Sequence, residues 1–104
     1  ATKVTAAYHA SKGGARLLSK HAAVAYGREN IRSNALCPGT VETDIVKDVP
    51  EKLKEAAARG TCLKRFGKVE EVAKVAVFLA SDASSYVTGA DIAVDGGATA
   101  MFSG

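Results

Sequence analysis

Small and apolar residues recur early in the chain at Ala7, Ala10, Gly14, Leu17, Leu18, Ala22 and Ala25. That spacing is close to 3.6 and predicts a helix over Tyr8–Tyr26, stopped by Gly27. Gly13 and Gly14 weaken such a helix but permit very close approach of another backbone, so a tight neighbour is expected. The stretch IRSNALC, Ile31 to Cys37, is short and ends abruptly on Pro38-Gly39, which fits a buried strand running into a turn. Beyond the turn, Thr43 can cap a short helical turn. Pro50 then suits the start of a second helix over Glu51–Arg59, with Gly60 as its terminator. The clearest helix follows: Val69, Val72, Ala73, Ala76 and Leu79 or Ala80 form one apolar stripe, and Glu70 and Glu71 place negative charge at its N-terminus. It ends near Ser81-Asp82. The stretch DIAVDGG alternates through Ile92 and Val94 and closes on a Gly-Gly turn, which reads as a second strand.

The order helix, strand, short helices, long helix, strand implies a crossover between two parallel strands. Parallel strands are normally covered on both faces and flanked on both edges. The fold class is therefore α/β, and the pattern reads as the end of a doubly wound parallel sheet whose other strands lie elsewhere.

Composition adds exclusions. The chain has 104 residues, 47% of them hydrophobic and 24% charged, with no apolar run near the ~20 residues a bilayer demands. The formal charge of +3 comes from 14 basic and 11 acidic residues spread along the whole length, which speaks against a nucleic-acid partner. Cys37 and Cys62 are far apart and outside any C-x-x-C spacing, so neither a metal site nor a redox motif is expected, and two free thiols suit a reducing cytoplasm. The chain opens on ATKVTAAY rather than on methionine, and is expected to be a piece of something longer.

The candidate chemistry begins at AYHASKGG. Residues four apart on a helix stand on one face, so the phenol of Tyr8 and the ammonium of Lys12 can share a ligand. In open parallel sheets ligands bind at the carboxyl ends of strands, here the Pro38-Gly39 turn with Thr40, Val41 and Thr43 just beyond. Gly39 would let a flat ring or a phosphate approach without a Cβ in the way, and Thr43 offers a hydroxyl that both donates and accepts. His9 and His21 have no partner whose role needs them and read as surface or packing residues. Asp95, before Gly96-Gly97, reads as turn chemistry.

Four segments, in order, resemble one family. YHASK with GGARLL is similar to the active-site helix of the short-chain dehydrogenases/reductases. IRSNALCPGTVET resembles their strand and Pro-Gly cofactor loop, RFGKVEEVAKVAVFLASDASSYVTG their late helix and turn, and DIAVDGG their last strand. The resemblance implies the C-terminal portion, residues 1–104, of a single Rossmann-type domain. It implies NAD or NADP as cofactor and a small-molecule alcohol or ketone as substrate. Tyr8 would be the general acid in ketone reduction and the base in alcohol oxidation. Lys12 would bind the nicotinamide ribose and stabilise the tyrosinate by its charge. Pro38, Gly39, Val41 and Thr43 would lie along the nicotinamide carboxamide and pyrophosphate.

The family's Gly-rich phosphate loop, the residue that selects NAD or NADP, and the catalytic serine have no counterpart in these residues. The expected partners are accordingly the N-terminal half of the same domain and, by family habit, further copies in a homo-oligomer, with neither membrane nor nucleic acid involved. Activity is expected only together with that N-terminal half. The alternative is a non-catalytic module that uses its small-residue helix and open strand edge for self-association or binding.

Overall fold

A computed structural model describes residues 3–43 and 48–103. Helix α1 (Lys3–Tyr26) is followed by a 3-10 turn at Gly27–Glu29 and by strand β1 (Ala35–Pro38). Next come the two-residue strand β2 (Val41–Glu42), helix α2 (Glu51–Ala58), the two-residue strand β3 (Gly67–Lys68) and helix α3 (Val69–Ala80). A second 3-10 turn at Asp82–Ser84 leads to strand β4 (Asp91–Val94) and helix α4 (Ala98–Ser103). β1 pairs with β4 in parallel, Ala35 opposite Asp91 and Pro38 opposite Val94. β2 pairs with β3 in a separate parallel ladder, Val41 opposite Gly67 and Glu42 opposite Lys68. The chain is α/β with parallel strands.

The helices fall where the periodicity places them, with α1 beginning at Lys3, five residues before the expected start. No breaker precedes Tyr8 to hold it back. Arg59, expected to be helical, is the C-cap of α2, its N–H still bonded to Glu55 O. The first strand is the larger difference. The ladder starts at Ala35, because Arg32, Ser33 and Asn34 turn their hydrogen bonds to the connection that precedes β4.

Arg32 carries most of that work. Its Nη2 donates to Leu79 O (2.9 Å) and Ser81 O (3.1 Å), and its Nη1 to Val87 O (3.1 Å) and Ser84 Oγ (3.0 Å). A cation at the C-terminus of α3 meets carbonyls that the helix itself leaves unpaired. Ser84, 1% exposed, closes the knot by donating to Leu79 O.

The Gly-Gly turn is required rather than merely permitted. Gly96 and Gly97 sit at φ +63° and +87°, and a Cβ on Gly97 would stand 2.6 Å from Cys62 Sγ. Asp95 then caps α4, a helix with no expectation behind it, accepting from Gly97 N, Thr99 N and Thr99 Oγ1. The helical turn that Thr43 is expected to cap falls on residues 44–47, outside the described residues.

Among the described residues no hydrophobic side chain is fully buried. Leu17, Leu18 and Val24 of α1 are more than 65% exposed. Gly13 and Gly14 have nothing within 4 Å of where a Cβ would be, so the close neighbour expected for them is not among the described residues. No helix among the described residues is long and apolar enough to cross a membrane.

Candidate active site

Helix α1 is fastened across the β1–β4 pair by side chains of three residues on its inner stripe. Ser19 Oγ and Ser33 Oγ share a hydrogen bond of 2.9 Å. Lys20 Nζ donates to Gly89 O at 2.8 Å and lies 3.6 Å from Asp91 Oδ1, while Arg16 Nη2 reaches Asp91 Oδ2 at 3.2 Å. Moving back along the helix from Ala23, beside Gly89, to Arg16, beside Asp91, moves forward along β4. The helix therefore runs against the strands, and its N-terminal part points to their carboxyl ends.

The Ser19–Ser33 contact, made by two short side chains, fixes the height. Going back from Ser19 to Tyr8 rises about 16 Å at 1.5 Å per helical residue. Going forward from Ser33 to Pro38 in extended backbone advances about 16 Å as well. These ideal spacings put the turn of α1 that carries Tyr8 toward the same end of the sheet as the Pro38-Gly39 turn.

Lys12 Nζ lies 5.5 Å from the centroid of the Tyr8 ring, over its face. A cation at that distance is attracted by the ring quadrupole, so the two side chains share one stripe of the helix. Tyr8 is 57% exposed, its ring edge-on to His9 with centroids 5.8 Å apart. Ser11 Oγ donates back to Tyr8 O at 2.8 Å. Arg16 continues the same stripe one turn further and, with Cys37, Pro38 and Gly39, lines a cleft of about 320 Å³ on the α1 side of the sheet.

Gly39 has a different reason to be glycine from the one its position in the sequence suggests. A Cβ there would meet Asp95 Cβ at 2.7 Å and Asp95 Cα at 2.9 Å. Gly39 N also donates to Val94 O at 3.0 Å. The missing side chain thus admits the end of β4 against the turn. Beyond it, Val41 is half-buried in the β2–β3 ladder, and Thr43 follows the end of β2.

The donor set suits a polyhydroxylated ligand carrying an amide. Lys12 brings three N–H donors and Tyr8 a hydroxyl that donates and accepts. Beyond the turn the Thr40–Glu42 backbone is engaged with β3, and the Thr43 hydroxyl adds a group that both donates and accepts. Among the described residues no group of three metal-ligating side chains exists.

Two charged features of this region were not foreseen. Asp95 is held below the ordinary carboxylate range, first by the Thr99 hydroxyl and then by backbone N–H groups at the start of α4. Glu71 is lowered to about 2 by Arg65, which pairs with both its oxygens at 2.7 and 2.9 Å, and by Lys68 N–H at 2.9 Å. The second had a signal: Glu71 stands three residues after the N-cap position, as in a capping box, but Lys68 occupies the place usually held by Ser or Thr.

Comparison with known proteins gives a consistent picture. The family described as enoyl-(acyl carrier protein) reductase matches residues 1–99. The 3-oxoacyl-(acyl-carrier-protein) reductase of Thermotoga maritima is 51% identical over 90 residues, which are 86% of this chain and 37% of that protein. Cis-4-hydroxycyclohexanecarboxylate dehydrogenase of Sinomonas cyclohexanicum is 42% identical over 97 residues, 93% of this chain and 39% of that protein. The chain thus spans less than two fifths of the length of these relatives. A crystal structure of a short chain dehydrogenase family protein from Francisella tularensis superposes with a TM-score of 0.81 at 33% identity, over 90% of this chain and 43% of that one. With the ordered motifs, the parallel strands and these likenesses in agreement, the chain belongs to the short-chain dehydrogenase/reductase family.

Proposed function

We propose that the chain is the C-terminal portion of an NAD(P)-dependent oxidoreductase that interconverts a secondary alcohol and a ketone, with residues 1–104 forming part of a single domain. The observation that carries this reading is the Tyr8/Lys12 pair, the ammonium 5.5 Å from the ring centroid, on a helix whose N-terminal part points to the carboxyl ends of the strands. The nicotinamide, when bound, supplies or accepts the hydride.

The protein's own residues do the rest. Tyr8 gives a proton from its hydroxyl to the carbonyl oxygen in reduction and takes it from the alcohol in oxidation, a contribution of ~10²–10⁴ in rate for a well-placed group. Lys12 holds the ribose hydroxyls through its N–H donors and stabilises the phenolate by its charge. Pro38, Gly39, Val41 and Thr43 line the carboxamide and pyrophosphate.

The strand edge of β1 opposite β4 is where the remaining part of the sheet would pair. A titration tests the whole reading: the complete protein, with the segment its relatives carry upstream, should bind NADH or NADPH and reduce a ketone, and the isolated chain should do neither. A complete protein that binds neither nucleotide contradicts it.

The exposed Leu17, Leu18 and Val24 of α1 favour one alternative, a non-catalytic self-association or binding module. Under the enzyme reading the same residues serve contacts with the rest of the domain and between copies in a homo-oligomer. The titration separates the two, since a binding module has no use for nicotinamide.

A further inference from the structure

The segment between α2 and α3 is held by more bonds than a connection needs. Thr61, 8% exposed, donates from Oγ1 to Ala58 O at 2.9 Å and accepts from Arg65 N at 3.3 Å. Leu63 N donates to Gly96 O at 3.1 Å. Arg65 then forms a two-pronged pair with Glu71 and places a further Nη1 bond on Phe66 O at 3.1 Å. Glu71 Oε1 also accepts from Lys68 N. Residues 65 and 68 are thus tied to one carboxylate, and residue 66 to the guanidinium paired with it.

The stretch so framed is β3, and β3 is the pairing partner of β2. Gly67 N donates to Thr40 O at 3.1 Å, and a Cβ on Gly67 would come within 3.3 Å of Val41 Cγ1, so the contact is close as well as bonded. Thr40, Arg65, Gly67 and Glu71 share the wall of one cleft of about 200 Å³. The chain from Thr40 to Thr43 has a two-residue ladder as its backbone support, and that ladder rests on the Arg65–Glu71 frame.

We infer that Arg65 and Glu71 are positioning residues for the nicotinamide cofactor: by fixing Phe66–Lys68 they hold Thr40–Glu42 in register, and with it Val41 and Thr43. The inference rests on the oxidoreductase reading above. An exposed ion pair standing alone is worth little, but one with two parallel N–H···O bonds and a third donor on the same carboxylate is the favourable geometry. Neither residue touches the reacting atoms, so the effect falls on cofactor affinity rather than on proton transfer.

The test uses the complete protein and two variants, Glu71→Gln and Arg65→Lys, with NADH and NADPH as probes. Glu71→Gln keeps an acceptor for Lys68 N–H but loses the ion pair; Arg65→Lys keeps the charge but loses the two-pronged bond. In both, amide exchange at Gly67 should accelerate, and the dissociation constant of the preferred nucleotide should rise about fivefold, the size of one well-formed exposed pair. Turnover at saturating nucleotide should stay within about twofold, since Tyr8 is untouched. An unchanged nucleotide affinity in both variants overturns the inference, whether or not Gly67 exchange changes. A loss of turnover with affinity intact overturns it too. A wild-type protein that binds neither nucleotide removes the oxidoreductase reading and this inference together, and is distinguished by the parent protein's own titration.

Discussion

The amount of surface left open makes a quantitative prediction about the chain on its own. A compact protein of this mass exposes about 5,500 Å², whereas this chain exposes 7821 Å². Its radius of gyration is 15.8 Å, against about 13 Å for a compact chain of the same length. The excess of about 2,300 Å² is the share one side contributes to a large obligate interface. Folding buries only about half of the roughly 15,500 Å² that the unfolded chain exposes, below the ~60% at which even a 60-residue domain is marginal. The isolated chain should therefore show no cooperative thermal transition, bind a hydrophobic dye, and sediment as oligomers or aggregate. In a protein of the full length its relatives span, the same residues should melt in one step. The assay is circular dichroism against temperature with sedimentation velocity on the same samples. A monomer melting sigmoidally, with the enthalpy of about 70 kcal/mol expected for a full domain of this length, would refute the reasoning.

Three narrower expectations follow for the complete protein. Gly39→Ala must push a Cβ into Asp95 Cα and Cβ, neither of which can swing away, and should cost about 1–3 kcal/mol in urea denaturation; an unchanged midpoint would show that the turn has slack the structure does not indicate. Arg32→Met removes a charged donor from the carbonyls of Leu79, Ser81 and Val87, which keep only Ser84 or the Asn34 amide as partners, and should cost about 1–3 kcal/mol, with amide exchange rising first at Val87, Gly89 and Ala90; a loss under about 0.5 kcal/mol would mean that water serves those carbonyls as well as the guanidinium does. Glu71 is lowered from 4.5 to about 2, so its contribution is present above about pH 4.5 and is lost as pH falls through about 2; a carboxyl titration by NMR with its midpoint at 4.5 would contradict the pairing with Arg65.

What the sequence revealed and what it concealed divide along physical lines. Periodicity located α1 and α3 because each presents a repeating stripe, and the alternation through Ile92 and Val94 located β4. Residues 31–34 misled because strand pairing depends on who supplies the hydrogen bonds, and Arg32 and Asn34 spend theirs on a loop some fifty residues away in sequence. Two-residue strands such as β2 and β3 have no period to detect. The Tyr8/Lys12 spacing was visible, since four residues is one helical turn. The docking of α1 against the strands was not, because it rests on Ser19 meeting Ser33, a contact no local pattern announces. Gly39 was read as room for a ligand, and the space its Cβ would fill is taken by Asp95.

The claim on which the account turns is that the phenol at position 8 moves the proton while the ammonium at position 12 holds the nucleotide and charges the site. Pre-steady-state reduction of a ketone by the complete protein, with nucleotide binding followed by fluorescence in the same samples, measures both halves at once. Tyr8→Phe should lower the reduction rate by ~10²-fold or more with nucleotide affinity nearly unchanged, and Lys12→Ala should impair rate and affinity together. Full-rate reduction by the phenylalanine variant would contradict the account.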